Sequence, residues 1–131
     1  MRILSAALAA FLGGVAGSGS RQLVALSVAA AGGPDVIARM SVNVVGGLLA
    51  GIYLARREAE PARWDRLEPL VAAGFLGGLT TVASYALDAA KAFETADGGA
   101  LASLVAVDGV LGLLAAALGH RLARGVVSPV H

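Results

Sequence analysis

Cysteine is absent from the 131-residue chain, so neither a disulfide nor a thiolate metal site can form. Histidine is nearly absent too. His120 and His131 both lie near the C-terminus, which leaves little material for a His-based metal site or a nucleophile–base pair. Charge is scarce: charged residues make up 15%, whereas a soluble domain carries about 25% to cover its surface. The net charge is only +1 and no basic–aromatic cluster occurs, which argues against a nucleic-acid partner. What fills the chain is apolar, at 57% hydrophobic residues and a mean hydropathy of +0.78. Lipid therefore belongs to its solvent.

A hydrocarbon core of about 30 Å needs roughly 20 apolar residues to cross as a helix. Four segments approach that length, over about 3–29, 36–55, 70–92 and 100–121, which predicts an all-α membrane protein with four spans in a single domain. The chain opens like a signal peptide, Met1-Arg2 followed by apolar residues, but the first run is long enough to span and three matched runs follow it. Gly32-Gly33-Pro34 reads as a turn, with Asp35 starting the next helix. Arg56–Glu68 is charge-rich, contains Pro61 and reads as a solvated loop; Asp97-Gly98-Gly99 reads as a further turn.

Glycine is abundant, with 18 residues, most of them inside the spans. In lipid, packing rather than the hydrophobic effect associates helices, and glycine lets backbones meet. Gly13 with Gly17, Gly47 with Gly51, and Gly74 with Gly78 are small-xxx-small pairs that predict such seams.

Few polar residues remain that can carry chemistry. The stretch Gly74-Phe75-Leu76-Gly77-Gly78-Leu79-Thr80-Thr81-Val82-Ala83-Ser84-Tyr85 holds three glycines and two adjacent threonines in mid-span, which makes a poor helix. Two readings fit: a break whose freed carbonyls bind a cation and whose hydroxyls line a polar path, or a continuous helix with a small-residue packing face. Asn43 is an amide amid apolar residues, able either to donate to an anion in a dry site or to hydrogen-bond a neighbouring helix. Arg21, Arg39 and Asp108 are ionisable groups inside or at the edge of spans. An aspartate at mid-membrane costs about 2.5–3.5 kcal/mol, so Asp108 is expected to face protein or water. Asp35 and Arg39, four apart at a helix start, suggest a surface pair. The glycine-rich runs follow no strand, and no phosphate loop, metal-ligand cluster or catalytic pair occurs, so nothing suggests an enzyme.

Three motifs in order resemble those of the CrcB/Fluc fluoride channels. Gly13-Gly14-Val15-Ala16-Gly17-Ser18-Gly19-Ser20-Arg21 is similar to their first-helix GGxxGxxxR. Val42-Asn43-Val44-Val45-Gly46, with Gly51 following, is similar to their VNxxG…G, and Gly74 to Tyr85 to their GxxGGxTTFSTF. The resemblance implies a fluoride-exporting channel of the cell membrane, built as an antiparallel dimer of four-span subunits with a broken third helix. It implies a structural sodium ion at the dimer centre, held by backbone carbonyls at Gly77 and Thr80, and a fluoride pathway along Asn43, Thr81, Ser84 and Tyr85. Arg21, Arg39 and Asp108 are candidate modulators. The chain departs from the pattern where Val82 and Ala83 replace a phenylalanine and a serine, Tyr85 a second phenylalanine, and Arg39 a threonine. These departures suggest a homologous partner subunit of opposite orientation. Two alternatives are a non-conducting partner subunit and a small four-helix drug exporter; the latter lacks its membrane-embedded acid, since no acidic residue precedes Asp35.

With four spans, Arg2, Arg56, Arg57, Arg63, Arg66, Arg121 and Arg124 share one side, against Arg21, Arg39 and Lys91 on the other. This bias predicts cytoplasmic termini. Single cysteines placed between Arg56 and Glu68 should react with an impermeant maleimide only after cells are opened. Substantial labelling of intact cells would reject a fixed orientation.

Overall fold

The computed structural model describes residues 2–80 and 108–126, with 90, 93–95 and 98–99 between them. Helix α1, Arg2–Ala30, has 29 residues, and at 1.5 Å per residue it is longer than the roughly 30 Å hydrocarbon core. Its outward face is apolar, with Leu4, Leu8, Phe11, Val15, Leu23 and Leu26 exposed. The hydroxyls of Ser20 and Ser27 turn back to Ala16 O and Leu23 O at 2.9 and 2.8 Å, so neither is left unbonded in lipid. The helix ends where Gly33 N–H donates to Val28 O and Gly32 N–H to Ala29 O, both at 2.9 Å. That double closure needs a left-handed residue, and Gly32 supplies it at φ 74°.

Helix α2, Asp35–Ala59, starts after an extended Pro34 with Asp35 in its first turn. Its interior-facing residues include Ala38, Val42, Gly46, Gly51, Tyr53 and Ala55. Both α1, over Ile3–Ala30, and α2 are long and apolar enough to cross a membrane.

The charged segment Arg56–Glu68, expected as a loop, is helical. Helix α2 continues to Ala59, Glu60 bends the chain, and α3 occupies Pro61–Glu68. Local pairing explains this: Arg57 holds Asp65 at 2.7 Å and Glu68 at 3.3 Å, so charges that argued for solvent also staple α3 to the end of α2. The Tyr53 and Trp64 rings meet edge to face at 5.6 Å beneath that corner. The expected turn at Asp97-Gly98-Gly99 also differs, since Gly98 and Gly99 are helical and a turn falls at Thr95.

From α3 the chain continues without a bend into a π-helical stretch, Pro69–Leu76, and then into the short helix α4, Gly77–Leu79. Pro69 has no N–H to give and crowds the preceding turn, which favours a wider register. Gly77 N–H reaches back five residues to Ala72 O, and Thr80 N–H returns to the four-residue spacing at Leu76 O. Together these form the third rod. Helix α5, Val110–Val126, makes the fourth.

The rods pack in two glycine seams. Along α1 and the third rod, Gly13 lies against Leu70 O and Gly74 Cα, Gly17 against Phe75 O and Leu79 N, and Gly78 against Gly14 O. Along α2 and α5, Gly47 lies against Gly112 O, Gly51 against Ala116 O, and Gly119 against Leu48 O. Contacts advance in the same direction on both helices of each pair, so each pair is parallel. His120 meets Glu58 at 3.1 Å, which sets the C-terminal end of α5 beside the α2–α3 corner.

A Cβ on Gly51 would stand 2.7 Å from the His120 backbone nitrogen, while nothing lies near Gly125. Gly51→Val should therefore destabilise the fold by about 1–3 kcal/mol, read as a lower Tm in detergent, and Gly125→Val should leave Tm unchanged. Equal Tm for both variants would contradict the seam.

Candidate functional site

The seams gather the polar residues. Arg39, Asn43 and Gly47 recur every four residues along α2 and so share one face. Gly47 of that face is seated on α5. One turn before Gly112 on α5 comes Asp108, whose Oδ2 accepts from Arg39 Nε at 2.7 Å. The Asp108 side chain is 3% exposed and that of Arg39 24%. Of the two expected surroundings, protein or water, Asp108 has protein, and its partner is the arginine. No Asp35–Arg39 pair forms among the described residues, because Arg39 reaches across to α5 instead.

This pair is costly to build. Two charges leave water, and each needs its remaining hydrogen-bonding atoms satisfied. Among the described residues Asp108 Oδ1 is buried without a hydrogen-bond partner. Asp108 and Gly109 lie in a π-helical turn at the approach to α5.

Asn43 is half-buried one turn beyond Arg39, and its amide makes no hydrogen bond among the described residues. Gly112 lies near its backbone carbonyl, 4.0 Å from where a Cβ would stand. One turn further on α2, Gly46 faces the Thr80 Cγ2 methyl, with Leu79 Cδ2 at 3.6 Å from a Cβ there. The end of α4 thus lands on α2 within a turn of Asn43.

Thr80 marks where helical geometry stops. Its φ and ψ are −103° and 48°, and its hydroxyl donates back to Leu76 O at 2.8 Å. Gly77 is exposed, with only Ala72 O, at 3.7 Å, near a would-be Cβ. Arg21 is half-buried on α1, one turn past Gly17, which packs against Leu79 N. The structure thus sets Thr80 against Gly46, one turn from Asn43, joins Arg39 to Asp108, and places Arg21 at the level of the helix end. Thr81, Ser84 and Tyr85 lie outside the described residues, as do Val82 and Ala83. Sequence reasoning missed Ser18, whose hydroxyl points to Gly78 O at 3.5 Å. Its place one residue after Gly17 on the seam was the available signal.

A family profile described as "CrcB-like protein, Camphor Resistance (CrcB)" matches residues 8–120, from α1 to His120 of α5. This chain belongs to the CrcB family. Within the family it is 34% identical over 119 residues to a protein of Ruegeria sp. named fluoride-specific ion channel FluC, covering 89% of this chain and 93% of that one. A protein of the same name from Cereibacter sphaeroides is 31% identical over 124 residues, 94% of this chain and 98% of the relative. A third, from Jannaschia sp., is 35% identical over 95 residues, 72% and 89% of the two chains. The CrcB match, residues 8–120, spans both glycine seams, so the packing that positions Asn43 and Thr80 falls inside the matched region.

Proposed function

We propose that this CrcB protein is a subunit of a fluoride-selective channel that lets fluoride leave the cytoplasm, and that it acts as a channel rather than an enzyme. The observation that carries this reading is the near full-length match to relatives named for fluoride conduction, with Asn43 on the packed face of α2 at the end of α4. Fluoride is small and holds its water strongly. A selective path must replace that water with closely placed donors. The Asn43 amide supplies two N–H donors with no partner among the described residues. Thr81, Ser84 and Tyr85 join the path by their place in the third-helix motif. Membership of the family sets the drug-exporter reading aside.

The subunit crosses the cell membrane four times with its termini in the cytoplasm. The third rod breaks at Thr80, and two subunits pair antiparallel. The departure of Thr80 from helical φ and ψ supports the break. The exposure of Gly77 supports a contact beyond the subunit. Those features also fit a sodium ion held between subunits. Gly77 and Thr80 would hold it by backbone carbonyls, a hard-oxygen donor set suited to that ion. The chemistry it would supply there is structural, a positive charge for those carbonyls.

A second reading, a subunit that needs a conducting partner, is favoured by Val82 in place of an aromatic. A phenylalanine presents a positive ring edge to an anion, and valine has none. Four preparations in proteoliposomes test these readings together. The assembly with its partner should release fluoride far faster than chloride, and equal release of both would refute a fluoride channel. The chain alone should conduct weakly and gain flux on Val82→Phe; robust flux from the unmodified chain alone would remove the need for a partner. Gly77→Leu should elute as dissociated subunits, and a variant that still assembles and conducts would count against the cation site.

A further inference from the structure

Asp108 is a buried acid beside a path proposed for an anion, a placement that would repel the traffic. Its environment contains the compensation. Arg39 holds Oδ2 at 2.7 Å from α2, and the carboxylate is buried while the Arg39 side chain is a quarter exposed. Oδ1 is buried and accepts nothing among the described residues. Asn43 follows one turn inward from Arg39, and Gly112, one turn from Asp108, lies near the Asn43 carbonyl. The pair therefore stands before the amide, at the more exposed end of the same seam.

We infer that the Arg39–Asp108 pair is a dehydration station for the conducted anion. The arginine attracts the ion, and Asp108 Oδ1 accepts a hydrogen bond from the water the ion sheds before reaching Asn43. This rests on the fluoride-channel reading above. Each half needs the other. A lone guanidinium in a dry site would hold a small anion too firmly to release it, since conduction requires binding weak enough to leave. A lone buried carboxylate would exclude the anion. Paired at 2.7 Å, the charges cancel at a distance and remain distinct at contact range. An acceptor with no protein donor among the described residues has the chemistry to take water.

The test uses the full assembly in proteoliposomes and fluoride efflux. Arg39→Gln leaves the carboxylate uncompensated and should slow efflux about tenfold or more. Asp108→Asn removes the carboxylate charge beside the guanidinium and should lower the half-saturating fluoride concentration about fivefold while slowing maximal efflux. The double variant removes both charges at nearly constant volume and should recover to within about threefold of the unmodified rate. Arg39→Lys keeps the charge and should also stay within about threefold.

A double variant no faster than the slower single, or a lysine variant as slow as glutamine, would overturn the inference. Fluorine NMR of fluoride added to detergent-solubilised protein gives a readout independent of conduction. Asp108→Asn should broaden the fluoride resonance more than the unmodified protein, and Arg39→Gln less; equal broadening in all three would overturn the inference. No efflux from the unmodified assembly would instead count against the channel reading, and the line widths would then decide the role of the pair.

Discussion

In lipid, two apolar helices gain little from touching, because the tails they displace are as apolar as they are. Helices that stay together there must meet closely, and this subunit does so by removing side chains. Gly51 rests on Ala116 O and Gly17 on Phe75 O, backbone against backbone, with no room for a Cβ. The rest depends on that approach. It makes two parallel pairs, α1 with the third rod and α2 with α5. It also brings Asp108 within hydrogen-bond reach of Arg39 and lands Thr80 on Gly46, beside Asn43.

The same closeness explains how polar groups survive. Serine hydroxyls on α1 and α2 bond to carbonyls one turn back. The third rod widens after Pro69, returns to ordinary spacing at Thr80 and leaves helical geometry there. Among the described residues, Arg57, Asp65 and Glu68 pair on the α2–α3 corner, outside the seams. Arg39 and Asp108 share a seam, and a buried pair seldom adds net stability over apolar packing. Its presence one turn from an amide that has no partner among the described residues therefore points to conduction more than to folding.

Much of this was legible in the sequence because the signals were local. Small residues four apart marked both seams, and Gly32 marked the end of α1. The scarcity of charge identified the solvent. Other features were not legible, because they depend on partners distant in sequence or on competing local signals. Arg56–Glu68 carries loop composition, yet Arg57 pairs with residues eight and eleven positions later and keeps the segment helical. Arg39 had an acidic neighbour four residues away in Asp35, and only the α2–α5 contact reveals that it turns to a residue sixty-nine positions away. The π-helical stretch after Pro69 has no periodic signature that a hydrophobic pattern would show.

The central claim is that the α2 seam carries a fluoride path past the Asn43 amide. Fluoride efflux from liposomes holding the Asn43→Leu assembly tests it most directly, since leucine keeps the volume and removes both donors. The account predicts that this assembly elutes as the unmodified one does and loses efflux by about tenfold or more, because a fluoride stripped of water there meets no replacement. Efflux equal to that of the unmodified assembly would place the path elsewhere and contradict the account.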